Sequence, residues 1–64
     1  MLYNVSTTFY NYDAKDNKTY RTEMLVIGED NARTVGAMYA RADNVKQVDV
    51  IDALTGEVIE SWAE

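Results

Sequence analysis

The sequence contains no cysteine, no histidine and no proline, and only three glycines in 64 residues. Without cysteine or histidine there are no disulfides and no usual ligands for structural zinc, so neither common staple of a very short chain is present. The commonest general base and the commonest nucleophile–base pairs are missing as well. Carboxylates could still act as acid and base, but they need a cleft of low dielectric that so little chain has scant material to build. A protein without enzymatic activity, metal or cofactor is expected. Basic residues are scarce too: six Lys and Arg stand against eleven Asp and Glu, for a net charge of −5. That balance argues against direct binding to nucleic acid or anionic membrane, where phosphates require a basic patch. No apolar run approaches transmembrane length. The segment from Leu2 to Tyr12 is interrupted by Asn, Ser and Thr instead of forming the apolar heart of a signal peptide. The expected location is the cytoplasm.

What is present reads as a folded domain, with 47% hydrophobic and 27% charged residues. Residues 1–64 have room for one core, and a core this small hides only about 60% of the surface of the unfolded chain. Self-association is the reinforcement that remains, so a homodimer is expected. Leu2–Tyr12 alternates, with Tyr3, Val5, Thr7 and Phe9 on one face, and its β-branched and aromatic content predicts a strand. A turn follows over residues 13–18, where the spacing of Asp13, Asp16 and Asn17 distantly resembles a calcium loop but lacks its alternating ligands and central glycine. Thr19–Ile27 is predicted as the second strand. Gly28 breaks it, Asp30 is the expected N-cap of a helix, and Asn44 the expected left-handed C-cap. Ala32, Val35, Gly36, Tyr39 and Ala42 fall on one helical stripe, with Met38 and Ala40 at its margins. Gly36 costs about 1 kcal/mol against Ala inside a helix, which close approach to a sheet would explain. Val45–Ala53 and Glu57–Ala63 are predicted as a second hairpin, with Gly56 at positive φ. The fold class is therefore α+β, in the order β-β-α-β-β, with a four-stranded, mainly antiparallel sheet and one helix on one face. Both faces of several strands carry large apolar groups, Leu25 and Ile27 against Met24 and Val26, and Ile51 against Val50, so the face that one helix leaves uncovered is expected to be a dimer or partner surface.

Between Val45 and Glu64 lie five acids and only Lys46 as a base, so this stretch carries −4 of the net charge. With a four-residue loop, Asp52 would lie opposite Glu57, Val50 opposite Ile59 and Asp49 opposite Glu60. Like charges directly across a sheet cost a few tenths to about 1 kcal/mol per pair. Asp49, Asp52, Glu57 and Glu60 are thus candidates for an acidic strip that meets the basic surface of a nucleic-acid-binding protein. A solvated edge, or a register different by one residue, would account for the same acids without a partner. Trp62, near the end of the last strand, is the candidate apolar anchor, since tryptophan is enriched at interface hot spots. Two other readings use other features: an accessory domain whose acidity serves only solubility, and a single-strand nucleic-acid binder using sheet aromatics with Arg33 and Arg41.

Tyr3, Asn4, Val5 and Ser6 in the first strand, residues Lys18 to Glu23 in the second, and Tyr39 leading to Val45–Val50 form a pattern. In size, acidity and order of elements it resembles the small phage proteins that inhibit uracil-DNA glycosylase by imitating DNA. The resemblance spans residues 2–52. It implies a dimer whose acidic rim surrounds an apolar pocket that captures a protruding side chain of the enzyme. This sequence departs from the pattern at Asn31, Ala32 and Arg33, where an aromatic would stand, and in its added last strand, Glu57–Trp62.

Overall fold

A computed structural model describes residues 1–12 and 18–63. The turn of residues 13–17, with its calcium-like spacing, lies outside the described residues. Four strands and one helix follow one another as β1 (Leu2–Tyr10), β2 (Thr19–Ile27), α1 (Glu29–Ala40), β3 (Val45–Asp52) and β4 (Val58–Ala63). The strands form one antiparallel sheet in the order β2-β1-β3-β4. The fold is α+β. Because β2 and β3 flank β1 and run the same way, the chain must cross β1 between them, and α1 makes that crossing over one face of the sheet.

Alternation in β1 decides which face is covered. Tyr3, Val5 and Thr7 are buried, and they meet the buried Val48 and Val50 of β3 beneath Ala32 of the helix. Val26, Val35, Tyr39, Ala40, Val45, Ile59 and Trp62 pack around this centre. The expected helical stripe thus faces the sheet at Ala32, Val35, Gly36 and Tyr39. Ala42 lies beyond the end of the helix and is exposed. A Cβ on Gly36 would stand 2.6 Å from Cζ3 of Trp62 and 3.0 Å from Cγ2 of Val50, so the glycine marks real contact between helix and sheet.

Both expected caps are corrected. Gly28, at φ 95°, is the N-cap, and the helix begins at Glu29, placing Glu29 and Asp30 in the first turn where the helix dipole favours negative charge. Asp30 cannot cap a helix that has already begun; its carbonyl accepts a bond from Oγ1 of Thr34 at 2.9 Å. At the other end the last turn tightens, with the Arg41 and Ala42 amides donating to the carbonyls of Met38 and Tyr39. Arg41 closes the helix at φ −83°, so the termination needs no left-handed Asn44. The Asn44 carbonyl instead accepts the Tyr10 amide at 2.7 Å. Among the described residues, no helix is long and apolar enough to cross a membrane.

Candidate interaction surface

The β3–β4 hairpin starts in the expected register and then leaves it. The Asp52 amide donates to the Glu57 carbonyl at 2.7 Å, and Gly56, at φ 80°, returns an amide to Asp52 at 2.8 Å. Ile51 pairs with Val58 as a four-residue loop requires. Between Val50 and Ile51 the register then shifts, and Val50 faces Glu60 instead of Ile59. An extra residue on one strand reverses the facing of every side chain beyond it. Asp49 therefore faces Ser61, and Val48 faces Trp62.

This one-residue shift redistributes the four candidate acids. Asp49 accepts a hydrogen bond from the Ser61 hydroxyl and another from the Gln47 amide. Glu60 turns to the helix side, where Nη1 of Arg33 reaches its carboxylate at 2.9 Å. Asp52 is buried, and its carboxylate accepts the backbone amides of Leu54 at 2.8 Å and Thr55 at 3.3 Å, holding the turn. Glu57 is exposed. The Asp49–Glu60 repulsion expected from a straight hairpin is absent, and the four carboxylates occupy separate places instead of one strip. Trp62 turns inward as well. Its ring lies on Gly36, half-buried, and its remainder borders a cleft with Ala40, Val45 and Lys46.

The helix side also holds a polar network. Arg33 links Glu60 to Glu29 (Nε to Oε2, 3.3 Å), and the buried Tyr3 hydroxyl donates to Oε1 of Glu29 at 3.4 Å. Burial pushes the Tyr3 phenol above the usual tyrosine value, and the negative charges of Glu29 and Asp52 push the same way; Arg33 opposes them. Arg33 is thus engaged by two carboxylates, which reduces the cationic pair, Arg33 and Arg41, that a nucleic-acid binder would use. Among the described residues, no group of three acidic side chains is placed to hold a metal ion.

The opposite face of the sheet has no helix over it, and its side chains fall in cross-strand rows. Ile27 and Leu2 form the first. Leu25, Asn4, Ile51 and Val58 form the second, Glu23, Ser6, Asp49 and Ser61 the third, and Arg21, Thr8, Gln47 and Ala63 the fourth. The first two rows are apolar apart from Asn4, and Leu25 and Ile27 are 65% and 75% exposed. Oδ1 of Asn4 is closed off from solvent and accepts no hydrogen bond among the described residues. A buried acceptor in that state costs about 1–3 kcal/mol. Asp49 lies in the next row on one side, and the Asp52–Glu57 turn on the other.

Leu25, Ile27 and Ile51 were legible as apolar groups on strands with two apolar faces, but not as the ones left uncovered. The roles of Asn4, Leu2 and Val58 were not, because they follow from which strands are neighbours. A second apolar hollow, of about 370 Å³, lies between α1 and β2, lined by Met24, Val35, Met38 and Tyr39. No protein-family model matches this chain, and no curated protein or solved structure does either.

Proposed function

We propose that this protein is a small, acidic, non-catalytic interaction module of the phage-inhibitor kind, acting in the cytoplasm as a homodimer. It blocks a nucleic-acid-binding enzyme by offering carboxylates where that enzyme meets phosphates. The observation that carries this reading is the uncovered row of Leu25, Asn4, Ile51 and Val58 with Asp49 on one side and Glu57 beyond the other. An apolar centre with a charged margin suits a protein interface. The excess of acids over bases supports a basic partner, since complementary charge steers encounter. The resemblance to the inhibitors of uracil-DNA glycosylase supplies the target class.

The test is uracil excision by a bacterial uracil-DNA glycosylase with the protein added over a range of salt concentrations. Saturable inhibition that weakens as salt rises is expected. Asp49→Asn with Glu57→Gln should slow association, whereas Leu25→Ser with Ile51→Ser should speed dissociation. Undiminished excision at large molar excess, with no complex by gel filtration, would remove this enzyme as the target. Failure of the protein to retain any basic protein at low salt would favour the plain accessory domain.

A further inference from the structure

The two edges of the sheet are built differently. β4 is six residues long and follows a register shift, so it is short and locally twisted away from a regular ladder. β2 is nine residues long, pairs with β1 in unbroken register, and is exposed at every position except Val26. Natural edge strands are usually protected by shortness, a bulge, a proline, charged side chains (lysine above all) or a covering element. β4 has two of these protections, whereas Thr19–Ile27 is long, contains no proline and no lysine, carries one charge of each sign in Arg21 and Glu23, and among the described strands pairs with β1 alone. A long edge in that state is a template on which another strand can pair.

The sequence of β2 indicates which strand. Reversed about Thr22, it is complementary to itself in charge. Thr22 then faces Thr22, Arg21 faces Glu23 and Glu23 faces Arg21, while Tyr20 faces Met24. Arg21 and Glu23 share the open face of the sheet, and neither is in an ion pair within the chain among the described residues. Neighbouring centres lose this match: about Glu23, like charges meet and Arg21 faces Leu25; about Arg21, two guanidinium groups meet. Opposite charges directly across an antiparallel pair stabilise it, and like charges destabilise it. Centring on a residue also keeps both helices on one side of the joined sheet. Tyr20 of one copy would then stand beside Met24 of the other, at the mouth of the hollow that Met24, Val35, Met38 and Tyr39 leave beside β2.

We infer that β2 pairs antiparallel with β2 of a second copy about Thr22, giving one continuous sheet of eight strands held in register by two Arg21–Glu23 pairs. This deepens the self-association in the function proposed above and does not depend on the target named there. Sedimentation velocity at low salt, over a range of concentrations, tests it with Arg21→Glu, Glu23→Arg and the double exchange. The native chain should dimerise. Each single exchange should weaken the dimer by tenfold or more, and the double exchange should restore it. Both side chains are exposed, so circular dichroism should show every variant folded. Thr22→Cys provides a second readout in a chain without native cysteine. Facing Cα atoms about 4.5–5.5 Å apart suit a disulfide, so mild oxidation should join two chains, whereas Ala63→Cys on β4 should not. A dimer indifferent to both single exchanges, with no cross-link through position 22, would overturn the β2 interface and leave self-association standing. A native chain that is monomeric throughout would overturn both, and the glycosylase assay would still decide the target independently.

Discussion

On the helix side of the sheet, Val5, Val48 and Val50 retain 1%, 0% and 0% of their exposure, whereas on the other side Leu25 and Ile27 retain 65% and 75%. These residues come from three strands of one sheet, and their hydrophobicity is comparable. Burying one such side chain completely contributes about 1.5–3 kcal/mol, so the helix side holds the stabilising burial and the open side holds apolar surface still available for contact. What separates the faces is a single covering element, α1. It sits close only because position 36 has no side chain, leaving room for the Trp62 ring and for Val50. The difference teaches that apolar alternation marks a residue as buriable, and that a neighbouring element decides whether it is buried.

The largest way to break this contrast is to disturb the Gly36–Trp62 contact. Trp62→Ala should destabilise by about 3 kcal/mol, a large share of what so small a domain possesses. Gly36→Ala should destabilise by about 1–3 kcal/mol through overpacking, despite the better helix propensity of alanine. With Trp62 already replaced by Ala, the same Gly36→Ala change should be neutral or mildly stabilising. Urea melts of the four proteins in this cycle measure the coupling, and additive effects would mean that the two residues do not touch.

A smaller loss should follow from Asp52→Ala, which deprives two turn amides of their acceptor at the helix-side end of the hairpin. About 1–2 kcal/mol is expected, with Asp52→Asn keeping most of it. An equal loss from Asn and Ala would show that the charge matters more than the bonds. At Tyr3 the effect should be confined to alkaline pH. Its phenol is raised in the folded state, so its contribution is fully present below the unfolded value of about 10 and is lost as pH climbs through the folded value. Tyr3→Phe should flatten the decline of thermal stability above that pH; a curve of unchanged slope would assign the decline to other groups. The smallest effect belongs to the open face. Leu25→Ser should alter the stability of dilute, monomeric protein by no more than about 0.5 kcal/mol. A loss comparable to that at Trp62 would mean that this face is covered after all.

Much of the fold was legible in the chain because its signals are local. Alternation placed Tyr3, Val5 and Thr7 on one face, Gly28 ended β2, Gly56 supplied the positive φ of the last turn, and the costly Gly36 announced a close contact. The candidate surface was less legible, and one event accounts for most of the difference. Read as a straight hairpin, β3–β4 sets Glu60 against Asp49 and leaves Trp62 facing Gln47 on the open side. The shift between Val50 and Ile51 reverses both, carrying Trp62 to Gly36 and Glu60 to Arg33. No propensity in Val58–Ala63 encodes that step. The sequence by itself determined which segments are strands, where the helix runs, which glycines turn or yield, and the sign of the charge, because each depends on residues a few positions apart. Only the tertiary structure decided the register of the last hairpin, the partners of its acids and which apolar face lies open, because these follow from packing between segments distant in the chain, where one extra residue on a strand exchanges inside for outside.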